Sequence, residues 1–163
     1  MGILKEWKTW LRLRKNEMDI QSVAIGMNST VDHTRDRHII MLDYDEVTLE
    51  EVKYSVDELQ TFWKLGQADI FKTRNGFHVF FWYDIVPYER LKMIIHYARD
   101  VDPMFKFISQ YYDRKTIRVA GKYQEKDIEY VETISTGRRP SEIDAMIGDL
   151  KKNEHASLLS RQI

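Results

Sequence analysis

Between residues 38 and 85 the chain reads as a strand, a capped helix and a hairpin, and this order restricts the fold more than any other feature. "HIIMLDYD" (38–45) is an apolar run of strand length. "TLEEVKYSVDELQTFWKLG" (48–66) opens with Thr48 as N-cap and Glu51 three residues on, a capping box, and Gly66 stands where a helix terminates. "ADIFKTRNGFHVFFWYDI" (68–85) joins two β-rich runs through Asn75-Gly76, a strong hairpin signal. Helical periodicity returns over 88–99. The segments 105–112, 115–124 and 128–135 read as β-like or mixed, and a polar helix capped by Ser141 and Asp144 runs from 141 to 161. Upstream, "SVAIGMN" (22–28) is a short strand. Residues 3–15 space Ile3, Trp7, Trp10 and Leu11 as one face of an amphipathic helix, whose basic residues also suit a nucleic-acid arm.

The central order strand, helix, strand, strand, helix, strand is a split βαβ plan. It predicts an α+β fold with an RNA-recognition-like antiparallel sheet and flanking helices, in one domain spanning 1–163. In that plan the strand at 38–45 and the one that follows the Asn75-Gly76 turn are neighbours, so His78 lies beside Asp43 and Asp45.

Those two aspartates end an apolar strand one residue apart, and a period of two sends both carboxylates to one face. Like charges held so close either share a cation or belong to a solvated turn. The 163 residues include no cysteine, which excludes disulfides, iron–sulfur clusters and thiolate zinc. A metal here must be held by carboxylate or imidazole, and a hard ion, Mg2+ or Mn2+, is the expected one. No apolar stretch has the roughly 20 residues that span a bilayer, and no secretory pattern opens the chain. A soluble intracellular protein without membrane association is expected. The formal charge of -1, from 25 basic and 26 acidic residues, excludes binding of nucleic acid by bulk charge, so a polyanion must meet a local patch.

"LDYD", "TRNGFHVFF" and "YYDRKTIRVAGK", in that order over residues 36–123, resemble the motifs of the archaeo-eukaryotic primase superfamily, the primase-polymerases. The resemblance implies a minimal primase-polymerase catalytic core, a template-dependent nucleotidyltransferase that uses two divalent ions on carboxylates in DNA replication. It implies Asp43, Asp45 and Asp113 as catalytic and metal-holding acids, with Asp102 in "DVDPMF" the alternative third. It implies nucleotide binding by His78 on a phosphate oxygen, by Arg74 and the amides about Gly76 as an anion-binding turn, and by Arg118 and Lys122, which share a strand face. Gly76 stands where relatives carry a small residue or serine. The implied partners are nucleoside triphosphates and a single-stranded or primed DNA template, with a helicase or accessory replication subunit, because short basic segments alone grip template weakly.

A second class stays open, a catalytically silent RNA-recognition-like module that stacks single-stranded bases on sheet aromatics such as those of "FHVFFWY". The face on which the acids lie discriminates the two, since a stacking sheet avoids paired carboxylates at its centre and a two-metal site demands them. A rolling-circle initiator endonuclease shares the sheet plan, but no His-hydrophobe-His pair is present.

Overall fold

The computed structural model describes residues 25–32, 36–120 and 128–160; the expected helix over 3–15 and Lys122 lie outside them. The described residues form an α+β fold. In chain order the elements are β1 (Ile25–Asn28), β2 (Thr30–Asp32), β3 (Arg37–Asp45), α1 (Leu49–Trp63), β4 (Ala68–Lys72), β5 (Gly76–Val86), α2 (Tyr88–Tyr97), α3 (Pro103–Ser109), β6 (Thr116–Ala120), β7 (Glu129–Ile134) and α4 (Glu142–Ser160). Five strands pair in the order β2-β3-β5-β4-β7, and β1 pairs separately with β6, all antiparallel.

β5 lies between β3 and β4, which α1 connects, so the strand carrying Asp43 and Asp45 is a direct neighbour of the strand carrying His78. β6 departs from the simple six-element order. It pairs with β1 rather than β3, because the segment 25–32 lies along that side: Ser29 carbonyl accepts from Ile39 N–H while Ser29 N–H donates to Lys115 carbonyl.

α1 begins as its sequence requires. Thr48 Oγ1 accepts from Glu51 N–H at 3.3 Å, and Glu51 Oε2 accepts from Thr48 N–H at 2.7 Å. It ends differently: Lys64, with φ 57°, takes the left-handed cap expected near Gly66, while the Gly66 amide donates to Asp84 Oδ2 on β5. The hairpin also differs, since its link is the three residues Thr73-Arg74-Asn75 and Gly76 already belongs to β5. Glycine is needed there for closeness, because a Cβ would sit 1.8 Å from the Tyr44 carbonyl oxygen.

Residues 103–109 fold as helix, not as the β-like segment their Phe and Ile content suggests. Asp102 caps them by accepting from Phe105 N–H, and Pro103 occupies the first turn, where its missing N–H has no cost.

Helices cover both faces of the sheet. Tyr44, buried on one face, meets Ser55 of α1 through a 3.0 Å hydroxyl pair. On the other face Phe80 and Trp82 stack at 4.4 Å, and His155 of α4 lies over them at 4.7 and 5.3 Å. α4 comes this close because Gly148 meets β5; a Cβ there would fall 2.7 Å from the Trp82 carbonyl. The apolar residues of α4 divide accordingly: Ile147 is buried, whereas Ile143, Met146 and Leu150 are exposed and Gly148, Lys151 and His155 face the sheet.

Candidate active site at the end of the central strands

Asp43 and Asp45 occupy the last turn of pleat before β3 leaves the sheet. Asp43 pairs with His78 and Asp45 with Gly76 across the ladder, and directly opposed residues share a face. The strand ends sharply because Glu46 adopts φ 57°, uncommon for a non-glycine residue, and its amide donates to Asn75 carbonyl at 2.9 Å. That bond fixes the carboxylate end of β3 to the hairpin. Asp43 is partly buried and Asp45 exposed, so the acids form an open ledge.

His78 is 4% exposed, its Nε2 3.4 Å from Asp43 Oδ1, while its buried Nδ1 has no hydrogen-bond partner among the described residues. Asp102 joins the pair from α3: its amide donates to the Asp43 carbonyl at 2.9 Å. The Asp45 carboxyl is held above its ordinary pKa by partial burial first, then by the charges of Asp43 and Asp102, with His78 opposing. The charges of Asp43 and Asp102 thus both reach Asp45.

Asp113 lies elsewhere. It is exposed, paired to Arg114 at 3.0 Å, and its charge acts on His38 and Tyr88. Of the two acids considered for the third place, Asp102 is the one whose charge reaches Asp45.

The hairpin turn uses its own donors. Gly76 N–H, expected to face an anion, donates to Thr73 Oγ1, and Thr73 N–H to Gly76 carbonyl, leaving Arg74 at the exposed tip. Arg118 sits on β6 opposite Gly26, separated from β3 by the 25–32 segment.

Lys115 was not marked by sequence reasoning. It is 3% exposed, its Nζ donates to Phe105 carbonyl at 2.7 Å, and its ammonium lies 3.8 Å from the Phe105 ring centre. Burial pushes its pKa down to about 8 against the pull of Asp43 and Asp102. The Lys that follows Arg114 in a charged run gives no sign of burial; only the fold supplies it.

A Ser–His–Asp line also emerges, with Ser29 Oγ 3.0 Å from His38 Nδ1 and His38 Nε2 3.1 Å from Asp36 Oδ1. Ser29 is fully buried and accepts from Lys115 N–H, so the line clamps β1, β3 and β6 together and presents no nucleophile.

Among the described residues no group of three or more His, Asp or Glu side chains is arranged to enclose a metal ion. Two adjacent carboxylates on an open ledge instead suit an ion that takes its remaining oxygen ligands from water and a bound phosphate. A groove of about 420 Å³ over Trp63, Met93 and Tyr97 contains none of these acids. No helix among the described residues is long and apolar enough to cross a membrane. Set against protein-family models, curated proteins and solved structures, the chain matches none.

Proposed function

We propose that this chain is a metal-dependent nucleotidyltransferase of the primase-polymerase type, built on an RNA-recognition-like split βαβ core. The observation that carries the reading is the convergence of Asp43, Asp45 and Asp102 on one strand end with His78 directly across the ladder. The strand order β3-β5-β4 with the α1 crossover supports the core topology.

In this reading Asp43 and Asp45 hold Mg2+ or Mn2+, with Asp102 completing the acid set in place of Asp113. The bound ion supplies charge neutralisation at the phosphates. A primer 3′ oxygen bonds to the α-phosphorus of a nucleoside triphosphate as the bond to pyrophosphate breaks, and the hydroxyl proton passes to solvent. His78 orients a phosphate oxygen, while Lys115, held on the Phe105 carbonyl, lends positive charge that acts on Asp43 and Asp102. Arg74, at the exposed hairpin tip, and Arg118, on β6, hold the outer phosphates, with Lys122 as their partner on the resemblance alone.

The sheet-stacking alternative loses its footing, because Phe77, Phe80, Phe81 and Trp82 are all at most 5% exposed, covered by helices on both faces. The test is incorporation of labelled nucleotides on primed and unprimed DNA with Mn2+ or Mg2+. Wild type should incorporate, and folded Asp43→Ala/Asp45→Ala should lose at least about 10³-fold, the scale of removing the electrostatic stabilisation at a reacting phosphate. A folded double variant with undiminished activity, or a folded wild type silent on both templates, refutes the reading.

A further inference from the structure

With the β5 rings Phe77, Phe80, Phe81 and Trp82 buried and Tyr130 exposed on β7, a separate group of exposed aromatics near the acids lies on α3 and the turn after it. Phe107 on α3 and Tyr111 in the turn after it lie with ring centres 4.9 Å apart, at 57% and 68% exposure; Met104 and Tyr112 are also exposed, at 58% and 52%. This apron starts at the acids, since Asp102, the cap of α3, bonds through its amide to Asp43. Segment 103–118 also carries three cations outside the core, Lys106, Arg114 and Arg118, against the single acid Asp113, while Lys115 is buried. Arg114, half exposed, is paired to Asp113, and the Lys106 ammonium donates to the Ala98 carbonyl. Exposed rings, local positive charge and adjacency to a phosphate-handling site together fit a polyanion with flat apolar bases.

We propose that the α3 apron, centred on Phe107 and Tyr111, is a base-stacking platform that holds single-stranded nucleic acid beside Asp43 and Asp45. The proposal rests on the nucleotidyltransferase reading for the purpose of that grip, but the contact itself is independently measurable. Stacking needs the π face and not merely apolar area, so leucine and phenylalanine separate it from protein docking.

The experiment is fluorescence anisotropy of a fluorescein-labelled 20-nucleotide oligo-dT, titrated with the full chain at about 50 mM salt, where phosphate contacts are strong. Tyr111→Phe should bind as wild type does. Phe107→Leu/Tyr111→Leu should bind at least about fivefold more weakly, the low end of one lost base–aromatic stack. Asp43→Ala/Asp45→Ala should bind no more weakly than wild type. Unchanged binding by the folded leucine variant overturns the platform, as does a wild type that shows no oligonucleotide binding. A wild type that sediments as a dimer while the leucine variant is monomeric overturns it in favour of an interface between copies of this chain. If the leucine variant loses binding but wild type incorporates no nucleotide, the platform stands and the nucleotidyltransferase reading falls. If wild type incorporates and the leucine variant binds normally, the reverse holds.

Discussion

His155 should make the fold acid-sensitive, and replacing it with phenylalanine should remove that part of the sensitivity. The imidazole is 2% exposed, lies 4.6 Å from Phe71, 4.7 Å from Phe80 and 5.3 Å from Trp82, and leaves Nε2 without a hydrogen-bond partner. Burial pushes its pKa down to about 4 from an ordinary 6.5; His78 adds to the fall and Asp69 opposes it. The folded protein thus keeps His155 neutral where the unfolded chain would protonate it. Stability is complete above about pH 6.5 and declines as pH falls toward 4, by up to 1.36 kcal/mol per unit. At pH 5 the loss from this residue is about 2 kcal/mol, which in a chain of this size lowers Tm by about 4–8 °C. Phenylalanine fills nearly the same space and buries no orphan nitrogen. Thermal unfolding followed by circular dichroism between pH 5 and 8 should therefore show Tm of His155→Phe close to or above wild type at pH 7.5 and above it by the stated margin at pH 5. Parallel Tm curves for the two proteins across that range would refute the buried neutral imidazole.

Gly76→Ala should destabilise by about 2–4 kcal/mol, because its Cβ would meet the Tyr44 carbonyl oxygen at 1.8 Å and neither strand can yield without loosening the hairpin bonds at Glu46 and Thr73; a urea midpoint within error of wild type would contradict this. Asp102→Asn and Asp113→Asn should separate the two acids considered for the third place. Only the first should weaken Mn2+ binding, by about tenfold or more, in a calorimetric titration, since only Asp102 acts on Asp45. Equal losses from both variants would return Asp113 to the site.

The local signals were legible where chemistry acts over a few residues. The Thr48–Glu51 box and the Ser141 cap of α4 are visible because cap and partner lie three positions apart. The adjacency of Asp43 and His78 was also legible, since the order of strands and helix leaves few ways to form an antiparallel sheet. Residues 103–109 share composition with strands, and there the local signal that decided helix was the cap Asp102 with Pro103 after it. The other differences depended on distant neighbours. α4 turns its Gly148 face to β5, leaving Ile143, Met146 and Leu150 exposed, because only a residue without Cβ permits that approach. Lys115 and Asp102 belong to the acid cluster through bonds spanning α3, which no spacing in the sequence encodes.

The acid pair is also distinguishable from a solvated turn by its energetics. Carboxylates in a solvated turn diverge into water. Here the turn after the pair is pinned, with Glu46 in a left-handed conformation bonded to Asn75 and Asp102 bonded to the Asp43 carbonyl, and the Asp45 carboxyl is held above its ordinary range by burial first and then by the charges of Asp43 and Asp102. Ionising Asp45 beside those charges is less favourable than in a dispersed arrangement. In the proposed reading a divalent ion beside Asp43 and Asp45 would relieve the repulsion between them, and by linkage would stabilise the fold as it bound. A repulsion that a cation would remove gives the proposed site a physical reason to hold the two carboxylates on one face that a turn does not.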